Sequence, residues 1–297
     1  MNVGAQKAAN TFKTFILLAA LTALLLVIGG LIGGTSGIVL FAVIAVIFNL
    51  VMYWFSGRIA LKMNHAQAVS EQEAPELHRM IAQLATRAGV PKPSVYMTPA
   101  EQPNAFATGR SPKHASIAVT QGIMRALSPR ELEGVLAHEM SHIRNRDILI
   151  ASIAAMIAGA IAAIANFLQF SFLFGGDDDS GLGFIGTIAT IILAPIAAAI
   201  IQMAISRQRE FQADATGAQL IGDPNPLADA LETLERGSEV IPMQVNPAAA
   251  PMYIVNPLAA FGGRGVTKLF SSHPATAERV RRLRAMTGLL TTAPSYA

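Results

Sequence analysis

Residues 14–56 read TFILLAALTALLLVIGGLIGGTSGIVLFAVIAVIFNLVMYWFS, a run with no Asp, Glu, Lys, Arg or His. One membrane-spanning helix needs about 20 apolar residues, so this length suits two. Gly29-Gly30 and Gly33-Gly34-Thr35-Ser36-Gly37 mark a turn, which places helices over residues 14–32 and 37–55. Tyr53 and Trp54 fall where interfacial aromatics belong. A cleaved signal peptide fits poorly, because its apolar core runs only about 7–15 residues.

Two further charge-free runs cover residues 148–174 and 182–206, and Asp177-Asp178-Asp179 lies between them, where no lipid core would accept it cheaply. The expectation is four spans in two hairpins. Lys7, Lys13, Arg58, Lys62, Arg144, Arg146, Arg207 and Arg209 all flank the same ends of these helices, and the two hairpin tips carry no Lys or Arg. Short basic flanks stay in the cytoplasm, so both termini and both polar blocks are expected there.

The composition agrees. Of 297 residues, 52% are hydrophobic and 14% charged, against about 25% charged in ordinary globular domains. This excludes a disordered chain, and a net charge of +3 gives no reason to expect a nucleic-acid partner. With no cysteine, disulfides, Cys-ligated metal and thiol nucleophiles are excluded together. Any chemistry rests on His, carboxylates and hydroxyls.

The expected organisation is a first transmembrane hairpin (1–56), a first cytoplasmic piece (57–147), a second hairpin (148–206) and a second cytoplasmic piece (207–297). The second hairpin leaves and returns to one face, so Asp147 and Arg207 become spatial neighbours and the two pieces form one domain. Leu77, Met80, Ile81 and Leu84 have amphipathic helical spacing over 75–89. Residues 94–98, 105–109 and 116–120 have strand character, which predicts a three-stranded sheet. Ser128-Pro129-Arg130-Glu131 is a capping-box start for a helix running toward Ile143 and onward into the third span. Helices are expected after Arg207, around 226–235 and over 274–287, with a long loop over 241–266.

The capped helix contains His138-Glu139-Met140-Ser141-His142. Positions four apart share a helical face, so His138 and His142 can bind one metal ion, and Glu139 is placed to act as general base toward a water there. A catalytic zinc takes three protein ligands and keeps one position open. The returning hairpin brings Glu210, within Arg207-Gln208-Arg209-Glu210-Phe211-Gln212-Ala213-Asp214, into reach as the third. Asp214, one turn later, can accept a hydrogen bond from the outer nitrogen of a ligand histidine. His65, His78 and His114 lack partner spacing and read as surface residues.

With these motifs the chain resembles the HtpX heat-shock membrane metalloproteases, relatives of the zinc proteases that process prenylated CAAX proteins. The resemblance rests on His138–His142, on Glu210-Phe211-Gln212-Ala213-Asp214 and on Asn104-Ala105-Phe106-Ala107-Thr108-Gly109. Phe270-Ser271-Ser272-His273-Pro274 with Arg279, and the order of four spans around a split cytoplasmic domain, complete it. It implies a mostly α membrane protein bearing a cytoplasmic α+β zincin-like (gluzincin) domain with a small sheet. It also implies one Zn2+ per chain, held by His138, His142 and Glu210, with Glu139 as base. Asn104 and Phe106 would lie beside the cleft, where an edge strand binds extended peptide; His273 or Arg279 would stabilise the developing oxyanion. The implied activity is quality-control proteolysis of misfolded membrane proteins at the bacterial inner membrane. The implied partners are polypeptide substrates and the lipid bilayer. Three rivals remain: an intramembrane protease, opposed by the charges flanking the motif (Arg130, Glu131, Glu133, Arg144, Arg146, Asp147); a membrane receptor or scaffold with an accidental motif; and a transporter, opposed by the lack of intramembrane charge.

Overall fold

The computed structural model describes residues 3–154, 156–157, 207–240, 254 and 274–290. The third expected span beyond residue 157 and the whole of the fourth lie outside these. So do His273 and the 241–266 loop, Ile254 excepted.

The chain is mostly helical. Helix α1 (Val3–Met63) is two helices joined at Gly33 and Gly34. Gly34 has φ 56 and ψ −138, a conformation that favours glycine, so the Gly-rich turn read from the sequence is where the chain reverses. The two arms contain apolar stretches long enough to cross a membrane, Ala8–Val27 and Gly33–Met63. Val39, Val46 and Leu50 are more than half exposed, as apolar side chains facing lipid would be. Asn49 Nδ2 donates to Thr22 Oγ1 at 2.8 Å and ties the arms together.

Among the described residues the sheet has four strands, not the expected three. The strands β1 (Gln67–Ala68), β2 (Ser94–Thr98), β3 (Ala105–Gly109) and β4 (Ala115–Thr120) lie in the order β1-β2-β4-β3. The β2–β4 pair is parallel and the outer pairs are antiparallel, so β3 is an edge strand. The added β1 is only two residues long and carries no local pattern of its own. Helix α2 (Pro75–Ala88) buries Leu77, Met80, Ile81 and Leu84 in the core shared with Val95 and Ile117 of the sheet and ends at Gly89, φ 67.

After the short α3 (Gln121–Ala126), α4 (Pro129–Asn145) forms the centre of the domain. Ser128 accepts from the Glu131 amide, and the Glu131 carboxylate accepts from Ser128 in return. The expected continuation into the third span does not occur. Arg146 takes φ 60, the Asp147 amide bonds back to His142 O at 2.9 Å, and helix resumes only at Ile148. Helices α5 (Arg207–Ile221) and α6 (Asn225–Val240) pack along α4, and α7 (Thr276–Leu290) packs on α6 and α5. Gly217 decides how close α5 comes: a Cβ there would stand 3.0 Å from the His138 nitrogen. A side chain at that position would press on the α4 backbone beside the motif, so glycine lets α5 lie close there.

Candidate metal centre

His138 and His142 project from the same side of α4 and meet Glu210 from the first turn of α5. The ring centroids are 4.7 Å apart, and the two Nε2 atoms face each other at 3.2 Å. Glu210 Oε2 lies 3.6 Å from His138 Nε2, and Oε1 lies 3.8 Å from His142 Nε2. One donor atom from each residue falls within 4.8 Å of the others. Metal–ligand bonds of about 2.0–2.2 Å in a tetrahedron put donors roughly 3.3–3.6 Å apart, close to these separations.

The outer ring nitrogens explain why Nε2 turns inward. His138 Nδ1 is 2.9 Å from Asp214 Oδ1, and His142 Nδ1 is 3.1 Å from Asp147 Oδ2. Each carboxylate accepts an Nδ1 proton, so Nε2 is the nitrogen that would give up its proton and offer a lone pair to a metal. Two imidazole Nε2 atoms 3.2 Å apart, with a carboxylate beside both, form a donor set suited to a divalent cation once their protons leave. The residues therefore fit the metal expected of them.

Behind Asp214 stands Arg279 of α7, which is 1% exposed. Its Nε donates to Asp214 Oδ2 at 2.9 Å and its Nη2 to Oδ1 at 2.6 Å, while Nη1 donates to Ile254 O at 3.0 Å. Behind Asp147 stands Asn10 of α1, whose Nδ2 donates to the Asp147 carboxylate and whose Oδ1 accepts from Arg209 at 3.3 Å. The candidate metal centre is thus braced on one side by the last helix and on the other by the first.

The charges follow from these contacts. Burial alone would lower His138, but hydrogen bonds to Asp214 and Glu210 outweigh it and raise it to about 9. For His142, burial is likewise outweighed, by the Glu210 charge and the Asp147 hydrogen bond. Burial would raise Asp214, yet the Arg279 guanidinium holds its carboxyl well below the usual carboxylate range.

Glu139 is 6% exposed and follows His138 on α4. Its Oε2 accepts from the Ala107 amide of edge strand β3 at 2.9 Å. Asn104, just before β3, is buried, and its Oδ1 accepts from the Ile254 amide at 3.2 Å. Phe106 instead packs with Leu61 and Ala118, under the sheet toward α1. The described residues thus gather His138, Glu139, His142, Glu210, Asp214 and Arg279, with Arg279 turned onto Asp214. Of the other histidines, His65 and His114 are exposed, whereas His78 is half-buried and bonded through Nε2 to Val69 O at 2.9 Å.

Asp147 and Asn10 are the participants that sequence reasoning missed. Asp147 is five positions after His142, off the helical face, and reaches it only because the chain turns back at Arg146. Asn10 carries no sequence signal beyond being a polar residue near the start of an apolar helix.

A sequence model of peptidase family M48 matches residues 71–287. A protease HtpX homolog from Gemmatimonas aurantiaca is 53% identical over 279 residues, covering 93% of this chain and 99% of the relative. One from Pelotomaculum thermopropionicum is 51% identical over 281 residues, with the same two shares. The crystal structure of S. mikatae Ste24p superposes with a TM-score of 0.48 at 20% identity, covering 94% of this chain and 66% of that one.

Proposed function

This chain belongs to peptidase family M48 and is a membrane-associated peptide hydrolase, and on that premise we propose that it is a zinc-dependent endopeptidase whose ligands are His138, His142 and Glu210. The observation that carries the reading is the convergence of the two Nε2 atoms and the Glu210 carboxylate, one residue away from a buried glutamate. When bound, the ion supplies Lewis acidity to the scissile carbonyl and to the attacking water.

The remaining steps fall to the chain itself. Glu139 takes the proton of the attacking water and later delivers it to the leaving amine. Substrate binds in extended form along β3, whose outer edge pairs with no strand among the described residues. In the resting chain the Glu139 carboxylate holds the Ala107 amide of that edge. A substrate strand that pairs with this amide releases Glu139 for proton transfer at the moment the carbonyl arrives. Asp214 and Asp147 fix the tautomers of the two histidines, and Arg279 and Asn10 fix those carboxylates. Asn104 positions the chain ahead of β3. His273, matched by the family segment, is assigned to the substrate side of the cleft.

The substrates proposed are misfolded or damaged membrane proteins, cut on the cytoplasmic side of a bacterial inner membrane. The positive flanks of the apolar helices and the resemblance to HtpX proteases support that orientation and role. The chain is read as four spans around a cytoplasmic domain made of residues 57–147 and 207–297. The test is casein cleavage by the detergent-purified full chain. A chelator should abolish cleavage and added zinc should restore it; cleavage unaffected by the chelator would refute the assignment.

A further inference from the structure

On the far side of α4 from the metal centre lies a cavity of about 510 Å³, within the roughly 300–1,000 Å³ range of ligand sites. It is framed by the α2–β2 turn at Gly89 and Pro91, the β3–β4 connection at Ser111 and Lys113, and the end of α4 at Arg144 and Arg146. Among the described residues three cations line it and no carboxylate does. Among the described residues none of the three has an ion-pair partner, whereas Arg87, Arg125, Arg130 and Arg284 on neighbouring surfaces each do. Arg144 lies two positions after His142, about 200° around the helix, so the two point to opposite sides.

The location supplies an independent argument. Arg110, beside the Ser111 wall, stacks its guanidinium 4.2 Å from the Trp54 ring. Trp54 is about half exposed, near the end of the second apolar helix. At Gly57 of the same helix a Cβ would stand 3.0 Å from Gly109 Cα, so the end of β3 lies directly against it. The opposite wall, Arg144 and Arg146, immediately precedes the apolar run that begins at Ile148. The cavity therefore opens at the level where apolar helices give way to the polar domain, which is where lipid headgroups sit.

From this the geometry points to a binding site for a phosphate group, that of an anionic phospholipid headgroup, held by Lys113, Arg144 and Arg146. Guanidinium groups suit a phosphate because they donate two parallel hydrogen bonds to it, and an anionic leaflet concentrates such groups at this depth. A cation that serves only to orient helices needs neither a cavity nor convergence on it. Occupancy would pin the end of α4 to the bilayer surface a few residues beyond the metal ligands. The site uses no residue of the metal centre, so its failure would leave the protease assignment untouched.

Trp54 is the single tryptophan of the chain and serves as the reporter. The full chain in detergent is titrated with dihexanoyl phosphatidylglycerol, with dihexanoyl phosphatidylcholine and with inorganic phosphate, following Trp54 fluorescence. The expected result is a saturable change with phosphatidylglycerol and none with phosphatidylcholine. Combining Lys113→Gln, Arg144→Gln and Arg146→Gln should weaken it roughly a hundredfold. Arg144→Lys with Arg146→Lys, which keeps the charge, should retain most of it. A control removing three surface cations elsewhere (Arg125→Gln, Arg130→Gln, Arg281→Gln) should titrate as wild type. A saturable response to inorganic phosphate, lost in the triple cavity variant, would support the phosphate site with free phosphate as its source. No saturable response to either anion, or an equal response in the cavity variant, would overturn the proposal.

Discussion

Arg279 offers the sharpest separation between two roles. Stabilising an oxyanion requires a free guanidinium face, yet all three nitrogens are engaged: Nε and Nη2 on Asp214, Nη1 on Ile254 O. Arg279→Ala would leave the Asp214 carboxylate, itself 5% exposed, buried with only His138 for company. Removing one partner of a buried, hydrogen-bonded ion pair costs about 3–5 kcal/mol. For a domain of this size that is an apparent midpoint lowered by roughly 6–20 °C. Because Asp214 orients His138, zinc affinity should also fall, by about 10–100-fold. The assay is thermal unfolding of the detergent-solubilised chain with and without zinc, beside a competitive zinc titration. Arg279→Lys, which restores the charge without the fork, should recover part of both losses. If Arg279→Ala kept wild-type zinc affinity and midpoint but lost turnover, the positioning argument would be refuted and Arg279 would belong to the substrate side.

Two further outcomes follow from the same contacts. His138 is raised from its ordinary 6.5 to about 9, so its stabilising contribution to the metal-free chain is complete below about pH 6.5 and is lost as pH climbs through 9. Metal-free protein should therefore melt higher at pH 6.5 than at pH 9.5. Zinc binding at pH 7.5 should release between about one and two protons, since His142 is raised as well; calorimetry in buffers of different ionisation heat would detect this, and zinc uptake without proton release would count against it. Asn10→Ala should destabilise the chain by about 1–3 kcal/mol, because Arg209 and Asp147 lose a buried partner. A weaker zinc affinity should accompany the loss, and wild-type values for both would show that α1 does not brace the metal centre.

What the sequence made legible, and what it hid, divides along the range of the interactions involved. That His138 and His142 share a face follows from helical periodicity alone, and the capping box at Ser128 from four consecutive residues. That Glu210 would come near them is an expectation drawn from reading residues 148–206 as a hairpin that returns to its starting face, and Glu210 does lie beside both histidines. The strands at 94–98 and 105–109 are legible because short segments of strand character sit between Pro- and Gly-containing turns. By contrast, β1 is two residues that exist as a strand only because β2 is there to pair with. The helix ends short of the third expected span because Arg146 adopts a left-handed conformation that nothing in its residue type announces. That one turn also swings Asp147 back onto His142. The Arg279–Asp214 clamp joins residues 65 positions apart, and the Asn10–Asp147 contact joins residues 137 apart. Such pairs are products of packing, and no local pattern encodes them. Phe106 lies inside the segment that carries the family resemblance, yet strand alternation turns its ring under the sheet, toward Leu61.

The central claim, that a metal held by His138, His142 and Glu210 works with Glu139 as its base, is tested most directly by purifying wild type and Glu139→Gln side by side. Bound zinc would be quantified in each and casein cleavage followed. The account predicts near-stoichiometric zinc in both and cleavage by wild type alone. Cleavage by Glu139→Gln at the wild-type rate, or zinc in neither protein, would contradict it.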